Sequence, residues 1–323
     1  ENFYTHFENQ YTQIQSNQDS TVGYHENLTA TFVEAQIYTS PKFLINAGLR
    51  GEHSQYLNRN TIAPRLSAAY KLDENSSLSV AYGWFYQNPL NEQLLNRNYL
   101  KNEMAEHYIL SFSKNIKKRT FRTEVYYKNY SDLVKYGTSI QAPYQNNGSG
   151  YAYGFDLYFK DTKTIKNGTY WISYSFLQSE RDWKYYPHAA TPSFTVPHSL
   201  TFVYKHWIGD WRSYVGASFR YGSPRVYNDK NSTEFNTGKL PSNASLDINW
   251  SFLYRQNIIL YASITNVLGF DQVFGYRYDT TPNNNGVYDK TPVLPAAKRF
   301  FFIGCFITLT KNGETNQMDK INM

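Results

Sequence analysis

One cysteine, Cys305, among 323 residues excludes an internal disulfide framework and a cysteine metal cluster. It lies in the apolar stretch RFFFIGCFITL and is expected to be a small buried or lipid-facing residue, not a reactive thiol. No apolar run nears the roughly 20 residues that a membrane helix needs, so a helical membrane protein is excluded. Helix-period segments of useful length are missing as well. The seven histidines show neither HxxxH nor HxH spacing, so no metal site is expected. Gly148-Ser149-Gly150 lacks the strand-to-helix setting of a phosphate loop and reads as loop punctuation. His198 and Ser199 tempt one towards a base and a nucleophile, but neighbours in a strand point to opposite faces and cannot pair there. Neither an enzyme nor a bound cofactor is expected. The net charge of +6 is modest, interspersed with acids and drawn partly from Lys114 to Arg119, so no nucleic-acid partner is read from it.

Aromatic rings are abundant: 31 Tyr, 21 Phe and 6 Trp, in a chain whose mean hydropathy is nevertheless negative. Composition alone suits either a soluble all-β protein with an aromatic core or a barrel whose lipid band is one face of each strand. Alternation of apolar and polar residues is the stronger signal. Leu246, Ile248, Trp250, Phe252 and Tyr254 fall on one side of a strand, with Ser245, Asp247, Asn249 and Ser251 on the other. Leu78, Val80, Tyr82, Trp84 and Tyr86 likewise oppose Ser79, Ala81 and Gly83, and Tyr170, Ile172, Tyr174 and Phe176 oppose Ser173 and Ser175.

About fourteen such strands follow from alternation and turn chemistry. They are placed at Phe3–Ile14, Leu28–Thr39, Phe43–Tyr56, Ile62–Leu72, Ser77–Gln87, Glu103–Lys114 and Thr120–Asp132. The second half adds Tyr151–Lys160, Gly168–Glu180, Val196–Trp207, Trp211–Gly222, Ser242–Tyr254, Asn257–Leu268 and Lys298–Thr310. Their connections alternate in length. Tight turns stand at Ser40-Pro41-Lys42, Asp73-Glu74-Asn75, Ile116-Lys117-Lys118, Ile208-Gly209-Asp210 and Arg255-Gln256. Longer ones run through Ser16–Asn27, Asn88–Asn102, Leu133–Gly150, Arg181–Thr195, Ser223–Pro241 and Gly269–Ala297. Bacterial barrels keep short turns on the periplasmic side and long loops outside, whereas a soluble sandwich has no reason to sort its loops. The other face of the strands carries Glu34, Gln36, Arg50, Glu52, Arg65, Lys71, Arg122, Glu124 and Lys128. An Arg or Lys near a lipid midplane costs roughly 2–4 kcal/mol, so these belong on a wet lumen or against a domain that plugs it. The expected fold is an all-β, antiparallel, up-and-down transmembrane barrel over residues 1–311, followed by a polar periplasmic tail over 312–323.

The order of the strands carries a resemblance. ENLTATFVEAQIYTSPKFLINAGLRGEHSQY resembles a paired-strand signature of TonB-dependent outer-membrane receptors, in which a Pro-Lys turn leads into an AGLR-type strand. IAPRLSAAYKLDENSSLSVAYGWFYQNP is similar to the next hairpin of that family. KNEMAEHYILSF, FRTEVYYKNYSDLVKY, NGSGYAYGFDLYF, VPHSLTFVY and ITNVLGFDQVFGYRYD look like its later strands, so the likeness covers nearly the whole chain. The resemblance implies TonB-energised uptake of a scarce nutrient (a metal chelate, cofactor, glycan or peptide) in the outer membrane of a Gram-negative bacterium. It also implies an N-terminal plug domain, a TonB-engaging segment and a barrel of about 22 strands. Nothing in the chain looks like the plug. The chain also opens at Glu1 with neither an initiator Met nor a signal peptide. The C-terminal part of a receptor is therefore expected, its partners being outer-membrane lipid, the plug, TonB through the N-terminal part and the transported molecule. A free-standing passive or structural barrel is the alternative, and a soluble carbohydrate-binding β protein the third.

Ligand contacts are expected in the long connections. Arg181, Asp182, Trp183, Lys184, Tyr185, Tyr186 and His188 set amphipathic rings beside hydrogen-bonding charges, which suits stacking on flat ligands. The last long loop carries Phe274, Tyr276, Arg277, Tyr278 and Tyr288. The bland alternative is that these rings form an interfacial girdle or pack loop on loop.

Overall fold

Alternation with a period of two is realised as strands in a computed structural model that describes residues 2–12, 19–95, 97–137, 142–255 and 257–309. The first strands are β1 (Asn2–Thr12), β2 (Asp19–Ser40), β3 (Phe43–Ser54), β4 (Arg59–Lys71) and β5 (Ser76–Gln87). A one-turn helix, α1 (Asn91–Leu94), precedes β6 (Glu103–Ile116), β7 (Arg119–Lys135), β8 (Gln145–Asp161) and β9 (Gly168–Asp182). Then come β10 (His198–Ile208), β11 (Ser213–Gly222), β12 (Val226–Tyr227), β13 (Gly238–Lys239), β14 (Asn243–Arg255) and β15 (Ile258–Thr265). The last are β16 (Gly275–Tyr278), β17 (Lys290–Val293) and β18 (Phe300–Ile307). Fourteen strands form one sheet in the order β1 to β11, β14, β15, β18. The expected strand number holds, and most strands exceed the roughly 9–11 residues that a tilted bilayer crossing needs. No helix is long and apolar enough to cross a membrane. The tail expected over 312–323 lies outside the described residues.

The chain forms two compact units. The first comprises Glu1–Phe112, Glu124–Gly154 and Gln178–Pro192. In it, register puts Ile37, Ile45, Ala68 and Val80 in one row across β2 to β5, with Ala35, Ala47, Leu66 and Tyr82 in the next. The opposite face carries Glu34, Gly48, Arg65 and Gly83, then Gln36, Asn46, Ser67 and Ala81. On that side Asn46 Nδ2 donates to Ser67 Oγ at 3.3 Å, and Arg50 pairs with Glu52 at 2.6 Å. Val33, Ile37, Leu49, Leu66 and Val80 are exposed, while the buried apolar cluster is Tyr24, Leu57, Leu94, Leu95, Leu100 and Val134. A water-soluble fold would bury its apolar face; here that face is bare and the apolar core sits among the long connections.

The second unit comprises Ser113–Thr123, Phe155–Leu177 and Ser193–Met323. Leu246, Ile248, Trp250 and Phe252 of β14 lie beside Phe219, Ala217, Val215 and Ser213 of β11. Cys305 pairs with Leu260 on this apolar face and is exposed, as a lipid-facing residue should be. On the polar side Asp247 accepts from Ser245 Oγ at 2.6 Å and from the Asn266 amide at 2.9 Å, and it pairs with Arg220. The short turn after β6 places Lys117 and Lys118 at φ of 42° and 72°. Two left-handed residues match the right-handed twist of flanking strands, which makes this a tight hairpin without glycine.

Three readings need correction. The connection expected over Leu133–Gly150 is shorter, because β7 runs to Lys135 and β8 begins at Gln145. Gly148 and Gly150 are strand residues: a Cβ on Gly148 would stand 2.5 Å from the Asp182 carbonyl, and one on Gly150 2.6 Å from that of Glu180. Their glycines permit close approach to β9 instead of breaking the chain. Similarly, residues 19–27, read as loop, extend β2.

Candidate functional site

In the first unit, β9 does not end in a free loop. Arg181 and Ala190 exchange backbone hydrogen bonds at 3.0 and 3.1 Å, closing residues 183–189 into a turn. The Lys184 amide donates to the Val134 carbonyl at 2.7 Å, and the Tyr136 amide to the Lys184 carbonyl at 2.9 Å, which fastens this turn to the end of β7. Lys184 takes a φ of 51° to make both bonds.

This fastening assembles a ladder of rings and cations. The Arg181 guanidinium stands 4.3 Å from the Tyr130 ring and 4.8 Å from Trp183, and the Lys184 ammonium is 4.3 Å from Trp183. Trp183 meets Tyr186 edge-on at 6.3 Å, and Tyr186 meets Tyr185 at 5.7 Å. Tyr185 lies 6.4 Å from Tyr136, which stacks on Tyr144 at 4.6 Å, and Arg97 covers Tyr144 at 3.8 Å. Lys135 pairs with Asp182. Below them the Glu103 carboxylate accepts the Val134 amide at 2.9 Å.

The sequence-predicted residues are thus brought together but play different parts. Tyr186 is 7% exposed and Tyr185 48%. His188 is exposed, while Arg181 and Trp183 are half-buried. The first pair to meet a solute would be Tyr185 and His188, with Tyr186 supporting from beneath. Arg97, Glu103, Tyr130, Tyr136 and Tyr144 were not foreseen, because they come from other strands and connections. Their only signal was a surplus of Tyr near strand ends.

In the second unit, Tyr276, Arg277 and Tyr278 form β16 of a small hairpin paired with β17. Tyr276 lies 5.1 Å from Tyr227, and Lys290 donates to Tyr227 Oη at 2.8 Å and to Asp229 Oδ2 at 3.1 Å. Asn231 and Tyr288 exchange hydrogen bonds at 2.9 and 2.7 Å, joining this loop to the one carrying β12 and β13. Arg277 remains exposed. The Asn231 amide, then Tyr278, Lys290 and Tyr227 hold the Asp229 carboxyl well below its usual range. Tyr227 and then Asp229 hold the Lys290 amine above its own. A depressed acid stabilises the fold above its unfolded pKa, about 4, and loses that only as pH falls through its lower folded value. A raised amine stabilises it below about 10.4, and the effect fades as pH rises through the folded value. The loop junction should therefore hold unchanged from about pH 5 to about pH 9. Hydrogen exchange at the Tyr288 amide, corrected for intrinsic rate, should report constant protection across that window; loosening within it would contradict the network.

Among the described residues no group of His, Cys, Asp and Glu could hold a metal ion. His198 Nδ1 lies 2.8 Å from Tyr174 Oη, so its ring is engaged by a tyrosine on the neighbouring strand.

The model of the TonB dependent receptor-like β-barrel family matches residues 2–267. No curated protein matches the sequence. Among solved structures, the outer membrane transporter YddB from Escherichia coli is similar at 15% identity and a TM-score of 0.69, over 90% of this chain and 46% of that one. The ferric-catecholate import receptor Fiu from Escherichia coli K12 is similar at 14% identity and 0.69, over 89% and 45%. A mutant of the ferric enterobactin receptor PfeA from Pseudomonas aeruginosa is similar at 12% identity and 0.69, over 91% and 47%. The chain thus spans less than half the length of these structures, and their shared fold is the outer-membrane receptor β-barrel.

Proposed function

The chain belongs to the TonB dependent receptor-like β-barrel family, and on that footing we propose that it is the barrel portion of a bacterial outer-membrane receptor importing a nutrient with energy from TonB. The observation that carries the site is the ladder from Arg97 to Tyr130, in which three cations flank a run of contacting aromatic rings at the long-connection end. Flat rings stack on flat ligands, and guanidinium or ammonium groups pair with anionic ones. Of the candidate cargoes, an anionic metal chelate suits that chemistry better than a neutral glycan. The iron-related names of several structural neighbours support the same choice. Outer-membrane lipid, a plug domain and TonB are the partners this reading requires. A passive pore is not favoured, because the long connections fold on one another around a buried core.

The test is uptake of radiolabelled iron chelates by cells carrying the full-length gene, with and without TonB. Import that persists without TonB would overturn the energised reading. In the same cells, Tyr185→Ala with His188→Ala removes an exposed ring of the ladder and the exposed imidazole of the same turn. Each stacked or charge-assisted contact contributes about 1–2 kcal/mol, so capture should weaken at least about tenfold with surface levels unchanged. Trp183→Ala with Tyr186→Ala should weaken capture too, through loss of the support, while strand assembly stays normal. Wild-type capture by both double variants would reduce the run to loop packing.

A further inference from the structure

Two short turns of the second unit are knotted together by one buried carboxylate, Asp161, which stands where β8 ends. Its Oδ1 accepts the Lys163 and Thr164 amides at 2.6 and 2.8 Å. Its Oδ2 accepts Arg119 Nε at 2.7 Å and Thr164 Oγ1 at 2.6 Å. The Thr162 amide and hydroxyl both donate to the Lys118 carbonyl, at 3.1 and 2.9 Å. The turn after β6 and the turn after β8 are therefore held side by side. Asp161 is the only acid in residues 114–119 and 161–168, and Arg119 answers it. Lys114, Lys117, Lys118, Lys163 and Lys166 are left without an ion pair among the described residues, and the last four are exposed. Like charges repel one another, so the knot holds together a patch that attracts anions.

Next to this patch the apolar side of the strands carries a row of rings. Phe159 and Tyr170, each two residues inside the turn after β8, lie 6.1 Å apart, and Tyr170 lies 6.5 Å from the exposed Phe202. Ile165, also exposed, folds over Gly168, where a Cβ would stand 2.6 Å from its Cγ2. Cations beside exposed apolar surface suit a ligand with an anionic head and an apolar tail. The sorting of connections puts short turns on the periplasmic side, where the leaflet is built of glycerophospholipids. We propose that the knotted turns form a docking site for one anionic phospholipid of that leaflet. Its phosphodiester rests among the lysines, and its acyl chains run over the rings. The proposal rests on the outer-membrane reading above but fails separately from it, because lipid retention by purified protein depends neither on import nor on TonB.

The full-length protein in detergent is offered equimolar phosphatidylglycerol and phosphatidylethanolamine with identical chains. Lipid that stays with the protein through gel filtration is extracted and quantified. Wild type should retain the anionic glycerol lipid about tenfold over the zwitterionic ethanolamine lipid. Lys117→Gln, Lys118→Gln, Lys163→Gln and Lys166→Gln together should abolish that preference. Asp161→Asn raises the net positive charge but takes away the acceptor for Arg119 and Thr164, so it should lower the preference severalfold. Unspecific attraction would instead raise it. Excess glycerol 3-phosphate should leave the bound lipid in place, because it lacks the chains. Folding of each variant is verified by heat-modifiable gel migration. Equal retention of the two lipids by wild type, or an undiminished preference in the quadruple variant, would overturn the proposal. So would a preference that rises in Asp161→Asn, or displacement of the lipid by glycerol 3-phosphate.

Discussion

Replacing Ile248 by Arg is expected to block assembly of the strands in a bilayer. Ile248 is exposed on β14, level with Ala217 of β11 and Ile264 of β15, in an apolar row with no protein cover among the described residues. An Arg there must be desolvated or drag water with it, at about 2–4 kcal/mol near the midplane. That is a large part of a stability of about 5–15 kcal/mol. Asn249→Asp, one residue along on the polar face, should be tolerated. The measurement is the folded fraction after reconstitution into vesicles, read by heat-modifiable migration. Ile248→Arg folding as well as Asn249→Asp would show that the two faces meet the same environment and that lipid does not cover the apolar one.

Leu100→Ala is expected to unfasten the outer connections while leaving the strands intact. Leu100 is 1% exposed, in contact with the cluster of Leu94, Leu95 and Val134. Truncating a buried Leu costs about 2–5 kcal/mol through lost transfer energy and the cavity left behind. The damage should reach the ladder, since the Leu100 amide donates to the Arg97 carbonyl at 3.2 Å and Arg97 covers Tyr144 at 3.8 Å. Leu110→Ala, at a residue 45% exposed on the apolar face, should cost much less. Hydrogen exchange should speed up across residues 88–102 and 133–136 in Leu100→Ala, with β3 and β4 as protected as in wild type. Equal effects of the two substitutions would contradict the placement of the core outside the lipid band.

Much of this arrangement was readable without coordinates, because a strand's faces are a local property. Alternate residues point to opposite sides whatever the partner strand, so Leu246 to Tyr254 declared one wall and Ser245 to Ser251 the other. Turn chemistry and connection length are equally local, and together they yielded fourteen strands and the sorting of short turns from long loops. Residues such as Gly148 failed this logic because glycine serves both a turn and a close strand approach, and only the neighbouring Asp182 carbonyl distinguishes them. The density of rings and charges in Arg181–His188 was visible in the same way.

Which of those groups face water was not visible, because it depends on contacts between distant segments. Tyr186 is buried and Tyr185 bare although they adjoin, since the Lys184 bonds to the Val134 carbonyl and from the Tyr136 amide set the turn's orientation about fifty residues from β7. The pairing of Asp229 with Lys290 and the hydrogen bond from Tyr82 to Glu106 likewise join side chains 61 and 24 residues apart. No periodicity encodes such meetings. They are selected by the packing of whole connections, in which burial, hydrogen-bond satisfaction and charge compensation are settled at once.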